Sequence, residues 1–363
     1  MTHILAFGTY NSRKHPRVGI LIDGLRRNGC EVTEINRPLN ISTAGRVEVL
    51  KHPWKLFGFA RTLLSLWRQL SKDARIWVRE NGRPDAVLIG YMGHFDVLLA
   101  HHIFHSTPLI LDHLIFAGDT AKDRGADGVK VRLLNKLDRM AIDAATLVLV
   151  DTEEHQAMLQ HDDQSLVVPV GATDEWFQAQ HSNTGEQEGV IFFGLYTPLQ
   201  GTTVIAEALV LLAKEGIRPR ITMIGTGQDY PKVRSRLEQL DNVKFIEWVE
   251  PEELPGMVAS HAISLGIFST TPKGLRVVPN KVYQSMAAGC AVVTSDTPPQ
   301  RRAVSDGVTL VPPGDARSLA DTLKNLITDR SALLEAEQKS SGSAVRFTAS
   351  EVSRPLASWL QQL

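Results

Sequence analysis

The sequence predicts an α/β protein in which two doubly wound parallel sheets face one another across a cleft. Its 363 residues are too many for one ordinary hydrophobic core, so two domains are expected. Short apolar runs recur along the whole chain, and most are continuous rather than alternating, as strands buried on both faces of a parallel sheet are. Longer segments with helical spacing lie between many of them, and strand-helix alternation repeated in both halves gives two such sheets.

In order, the first series of runs is 3–7, 31–36, 86–90, 108–112, 146–151 and 165–170, and the second is 190–194, 221–225, 243–248, 262–268, 290–295 and 308–311. Helical patterns cover 19–28 and 129–145 in the first half and 203–215 and 230–239 in the second. The join falls near 171–189, where Asn183-Thr184-Gly185-Glu186-Gln187-Glu188-Gly189 is polar and glycine-bearing, a linker by composition. The expected division is a domain over 1–171, a second over 172–345 and a closing helix over 346–363, with Val352, Leu356, Trp359 and Leu360 on one side of that helix. Strand ends of such sheets point at ligands, so the site is expected between the two domains.

Composition narrows the class. A net charge of −1 gives no reason to expect nucleic acid across the whole surface. Cys30 and Cys290 stand far apart, so neither a disulfide framework nor a zinc site is indicated. Residues 1–8 run straight into a strand, with no signal-peptide pattern, and no run approaches a spanning helix. A cytoplasmic chain is expected, free to rest on the inner face of a membrane.

The most informative stretch is Pro279 to Gly289, followed by the apolar run 290–295. Pro279, Asn280 and Lys281 open a short amphipathic helix whose Val282, Met286 and Gly289 bring it close to a sheet. A helix start offers unpaired N–H groups and a partial positive charge, and Lys281 adds a full one, which suits a phosphate. The alternative is an ordinary crossover with a lysine at its entry. Two other turns converge on the same cleft: 193–202, with Gly194 and Thr197, and 224–228, with Gly225 and Gly227 placed to let a ligand approach the backbone. Three such turns in one sheet favour a nucleotide. Gly-x-x-x-x-Gly-Lys-Ser/Thr is absent, which excludes a Walker-type site, and the first turn lacks Gly-x-Gly-x-x-Gly.

On these segments, together with Pro169–Phe177 (Pro-Val-Gly, then an acidic-aromatic turn), 245–254 (Phe-Ile-Glu-Trp-Val-Glu-Pro-Glu-Glu-Leu), 7–29 and 137–155, nearly the whole chain resembles a GT-B glycosyltransferase of the retaining family-4 type, glycosyl transferases group 1. The resemblance implies two Rossmann-like domains, a nucleoside-diphosphate sugar of UDP or GDP type as co-substrate, transfer with retention, and neither cofactor nor metal. Asp-x-Asp is absent, consistent with the protein itself supplying the positive charge. By position, Lys281 and its helix start neutralise the departing diphosphate. Gly194 and Thr197 line the diphosphate turn, Gln284 meets the ribose, and Trp248 and Val249 flank the base. The terminal helix crosses back to the first domain.

Three positions depart from the family pattern. Arg276 and Gln284 stand where many members carry paired glutamates, and Gln200 where lysine is common. An amide still bonds ribose, whereas Arg276 changes the sugar side and can grip a phosphate or an acidic sugar. In the first half His113, after the apolar run 108–112, either lines the site near the transferred sugar or packs; His94 is a second candidate. Thr152 is placed to reach the donor, and Asp119 and Arg124 lie on a charged stretch that either folds over an acceptor or is solvated surface. Front-side attack needs no enzyme nucleophile, and none is nominated. Residues 46–79 interleave Arg46, Lys51, Lys55, Arg61, Arg68, Lys72, Arg75 and Arg79 with Trp54, Phe57, Phe59, Trp67 and Trp77, a pattern suited either to packing or to an anionic membrane surface. A lipid-linked glycan or polysaccharide intermediate follows as the expected acceptor. The other readings are a GT-B sugar-nucleotide epimerase and a catalytically silent sugar-nucleotide-binding protein.

Overall fold

The structure is a computed structural model and describes residues 2–12, 15–39, 53–123, 125–160, 164–182 and 188–363. The linker residues 183–187, Arg124 and the stretch 46–52 named above lie outside them. The chain forms two parallel sheets of six strands each.

The first sheet holds β1 (His3–Gly8), β2 (Glu31–Asn36), β3 (Ala86–Ile89), β4 (Leu109–Asp112), β5 (Leu147–Val150) and β6 (Ser165–Val167), in the order β2-β1-β3-β4-β5-β6. β1, β3, β4 and β5 are buried almost throughout, as continuous apolar runs require. One face is covered by α1 (Pro16–Arg27), with Val18, Leu21 and Leu25 on Ile4, Ala6 and Leu88. The other carries a layer of three helices: α2 (Pro53–Asn81), α3 (Asp96–Ile103) and α5 (Gly128–Asp143). The short α4 (Ala117–Asp123) packs on α5, and α6 (Glu153–Gln156) follows β5.

The second sheet holds β7 (Val190–Phe193), β8 (Ile221–Ile224), β9 (Val243–Ile246), β10 (Ile263–Leu265), β11 (Ala291–Ser295) and β12 (Thr309–Val311), in the order β12-β11-β10-β7-β8-β9. All twelve apolar runs of the sequence are thus strands. On one face lie α8 (Thr202–Lys214), α9 (Tyr230–Leu237) and α13 (Ala316–Thr328). On the other lie α7 (Asp174–Ser182), α10 (Leu254–Ala259), α11 (Asn280–Ala287) and α12 (Pro298–Val304), through Trp176, Val258, Val282, Met286 and Val304. The strand order reverses between β7 and β10, and their following helices, α8 and α11, cover opposite faces. That reversal opens a crevice at the carboxyl ends of the two strands.

Past α14 (Arg330–Ala344), the chain returns to the first sheet as α15 (Ala349–Leu360) and packs along α1. Gly24 permits this approach: a Cβ there would lie 2.0 Å from the Ala349 carbonyl oxygen and 2.2 Å from Ser353 Oγ. Val352 seats in a cluster with Ile20, and Leu356 and Leu360 on Val18 and Leu21. The outgoing segment is tied to the returning one, since the Ala172 N–H donates to the Phe347 carbonyl at 2.9 Å. Gly171, at φ +75°, would place a Cβ 2.7 Å from that same oxygen. Truncating the fully buried Leu356 to alanine is expected to lower stability by about 2–5 kcal/mol, read by chemical denaturation.

Candidate active site

The crevice between β7 and β10 is built around Lys281. Its backbone lies in the first turn of α11, and its side chain is only 6% exposed. Nζ sits 3.7 Å from the centroid of the Phe192 ring and has no hydrogen-bond partner. Burial lowers its pKa well below the ordinary lysine value. Burial therefore works against the full charge expected from sequence. Nζ points at the turn after β7: a Cβ on Gly194, whose φ is +139°, would lie 3.0 Å from Nζ and 3.9 Å from Gln200 Oε1. Gln200 is itself buried, and that oxygen is unpartnered. Two polar groups thus converge on one glycine with nothing to satisfy them. Such orphans mark a ligand position or an ordered water.

Thr197, half-buried, precedes the short 3-10 turn Pro198–Gln200 of the same loop. Pro279 caps α11, and Asn280 and Gln284, on its first turns, are half-buried. Trp248 lies beyond β9, 70% exposed, with Nε1 donating to Glu250 at 3.2 Å, while the neighbouring Val249 packs inward.

Gly225 and Gly227 require a correction. A Cβ on Gly225 (φ +112°) would lie 2.0 Å from the Gly194 carbonyl oxygen, and one on Gly227 (φ +152°) 2.7 Å from that of Tyr196. The space a Cβ would take is filled by the adjacent turn, so their smallness serves turn-on-turn packing.

Arg276 is corrected too. It is not a free cation at the donor crevice: Nη2 donates to Asp119 Oδ1 at 2.5 Å, pairing the second sheet's loop with α4. Lys273 Nζ donates to Thr120 Oγ1 at 2.7 Å in the same contact. Asp119 is accordingly part-buried rather than solvated. Thr152, expected to reach the donor, spends its hydroxyl on the Arg276 carbonyl at 2.9 Å and accepts from the His155 N–H at 3.2 Å. Arg302 adds further ion pairs to Glu153 and Glu154 across the same divide.

At the first sheet's carboxyl edge His113 is almost fully buried, packed edge-on against Phe116 and beside His94. Burial, with His94 alongside, lowers its pKa to about 3, so its imidazole is neutral, and Nε2 has no hydrogen-bond partner. His94 Nε2 donates to Asp138 Oδ1 at 2.8 Å, and Asp138 also accepts from the N–H groups of Ala117 (2.9 Å) and Gly118 (3.1 Å). Burial alone would raise the Asp138 pKa, but these donors hold it below the usual carboxylate value. Among the described residues His94, His113 and Asp138 are the group that brings metal-ligand atoms together, within 4.8 Å of one another. The Asp138 oxygens are already engaged, as the cap of α4 and the partner of His94. Asp138 escaped the sequence reading, although it sits at helical spacing from the buried Val131, Ala141 and Ile142, where a charge demands a partner. Arg17 escaped it as well: it lies buried at the start of α1, with Nε donating to Asp112 at 2.6 Å and Nη1 to the Val168 carbonyl at 2.9 Å.

Two facing parallel sheets, with a polar crevice at the switch point of the second, define the GT-B architecture, and known structures agree. Sucrose-phosphate synthase from Thermosynechococcus elongatus superposes with a TM-score of 0.71 at 13% identity, over 100% of this chain and 99% of that one. HepE from Anabaena, in complex with UDP-glucose, gives 0.66 at 16% over 100% and 99%. UDP-GlcNAc 2-epimerase from Neisseria meningitidis, bound to UDP-GlcNAc, gives 0.54 at 14% over 100% of both chains. Residues 187–329 match the family model for glycosyl transferases group 1. No curated protein sequence is similar enough to count as a match.

Gly225→Ala is expected to destabilise the fold by about 1–3 kcal/mol from backbone conformation alone, with the contact to Gly194 adding to it. The measurement is a denaturation curve, and a variant as stable as the parent would refute the packing role.

Proposed function

We propose that the protein is a retaining, metal-independent glycosyltransferase that moves a sugar from a nucleoside-diphosphate sugar to a membrane-borne acceptor, a lipid-linked glycan or polysaccharide intermediate. The observation that carries this reading is the buried, unpartnered Lys281 Nζ aimed at Gly194 in the switch-point crevice. A UDP-type donor is supported by the similar structures that hold UDP and UDP-sugars.

In this reading the diphosphate lies along Gly194 and Thr197, against the Lys281 side chain and the first N–H groups of α11, at Asn280 and Lys281, just past Pro279. As the bond from sugar to diphosphate breaks, negative charge grows on the leaving oxygen, and the Lys281 ammonium meets it without reorganisation. The surrounding Phe192 face and buried amide keep water away, which strengthens the interaction. Gln284 bonds the ribose, and Trp248 and Val249 flank the base. His113, neutral and with Nε2 unengaged, offers a donor or acceptor to the transferred sugar or the incoming hydroxyl. The acceptor attacks from the face the diphosphate leaves, so the leaving group's own oxygen takes its proton and no enzyme nucleophile is used. Arg276 shapes the sugar side through its pair with Asp119 rather than as a free cation.

A panel of nucleotide sugars screened by thermal shift would identify the donor, because ligand binding to the native state raises its stability. Turnover then decides the class. Acceptor-dependent release of nucleoside diphosphate supports the transferase, acceptor-free isomerisation an epimerase, and tight binding without turnover a silent binder. Lys281→Ala should cost on the order of 10²-fold or more in rate, and near-normal activity would refute its assigned role.

The desolvated lysine also makes donor binding proton-linked. Its pKa is low in the empty protein and rises when a diphosphate lies beside it, so binding takes up a proton. Affinity for UDP should therefore fall as pH rises from the empty-state pKa towards the bound-state one. Calorimetry in buffers of different ionisation enthalpy should show the uptake in the parent and lose it in Lys281→Met.

A further inference from the structure

The three-helix layer on the first sheet presents a surface that neither the core nor the active site uses. In α2, Leu63, Leu70 and Ala74 are buried, and Leu70 and Ala74 pack with the sheet residues Leu5 and Val87. Phe57, Arg61, Leu64, Arg68, Lys72, Arg75 and Arg79 all lie exposed, and successive members stand three or four residues apart. At about 100° per residue they fall within an arc of about 80°, one line along the helix facing away from the sheet. The line holds no acid. Asp73 lies off it and is paired with Arg37. Among the described residues none of the five cations on it has an ion-pair partner. Phe57 is 81% exposed.

α5 repeats the pattern two helices away in the same layer. Its Ala141 joins the same buried cluster, while Val129, Leu133 and Met140 are exposed alongside Arg132 and Lys136. A polar helix face that merely kept the protein in water would mix both charge signs and omit these apolar side chains.

We propose that this α2–α5 face docks in the plane of an anionic lipid bilayer. Basic side chains meet the headgroup phosphates, while Phe57, Leu64, Val129, Leu133 and Met140 enter the boundary with the acyl chains. A nucleic acid would use the cations but leave the aliphatic side chains idle, so lipid is the better fit. No helix among the described residues is long and apolar enough to cross a membrane, so the contact is in-plane. α4, which packs on α5, carries Asp119 to its contact with Arg276, so the docked face lies beside one wall of the interdomain contact. The inference rests on the membrane-borne acceptor proposed above.

The test is co-sedimentation of the full chain at low salt with phosphatidylcholine vesicles, with and without phosphatidylglycerol. Binding is expected only to the anionic vesicles. The triple variant Arg61→Gln, Arg68→Gln, Arg75→Gln should weaken it on the order of 10²-fold, and Phe57→Ser with Leu64→Ser should weaken it further. All these positions are exposed, so circular dichroism and UDP affinity should match the parent; a failed donor reading would appear in the UDP titration and a failed docking reading in the sedimentation. Equal binding to neutral and anionic vesicles, no effect of the triple variant, or preferential retention of an RNA homopolymer would each overturn the proposal.

Discussion

A lysine amine held in the protein interior without a counter-charge is the constraint around which the second domain is arranged. Burying such a group is costly, and lysine ordinarily escapes by extending its long stem to water. Lys281 cannot do so. Its backbone is fixed in the first turn of α11, and α11 is fixed by Val282, Tyr283 and Met286, all essentially fully buried. The side chain is left with one direction, across the face of Phe192 towards Gly194. The ring returns part of the lost solvation through its negative face. The rest of the cost is carried by the fold.

That arrangement depends on the strand order. Because β7 and β10 are neighbours whose helices leave to opposite sides, a gap remains at their carboxyl ends, and both the glycine turn and the helix start open into it. Gly225 and Gly227 contribute from behind, letting the turn after β8 press on the turn after β7, so that Gly194 and Tyr196 are held by the hydrogen bonds Gly194 N–H to Ile224 O and Tyr196 N–H to Thr226 O. The support of the site is thus made of backbone.

The strands were legible because a parallel sheet buried on both faces leaves a one-dimensional mark, and Val-Ile-Phe-Phe at β7 or Leu-Val-Leu-Val at β5 reads the same in any context. Lys281 and Gly194 were legible for a related reason: each is placed by the element beside it. Pairings across the chain leave no such mark. Arg276 and Asp119 lie far apart in sequence, and only the approach of the two sheets makes them partners and removes Arg276 from the role of free cation. His94, Asp138 and the N–H groups of α4 form a similar long-range set. A hint existed there, a carboxylate on the buried side of α5, but a lone acid at such a position does not reveal what satisfies it. The glycines after β8 mark the same limit, because sequence shows that space is needed and not that the neighbouring turn fills the Cβ position.

The buried Asp138 also links places that otherwise seem independent. By capping α4 it fixes the helix that carries Asp119 and Thr120, and these receive Arg276 and Lys273 from the loop just before α11. That loop ends at Pro279, where Lys281's helix begins. A continuous series of hydrogen bonds and short chain segments therefore runs from His94 in the first domain to the start of α11 in the second. Meanwhile the two crossings between the domains lie side by side, with Ala172 bonded to Phe347. Apolar packing joins the domains as well, with Ile20 and Leu114 of the first in one cluster with Val278 and Val282 of the second. Arg276 belongs to the side-chain pairs between the domains, so its guanidinium helps to set the relation of the two.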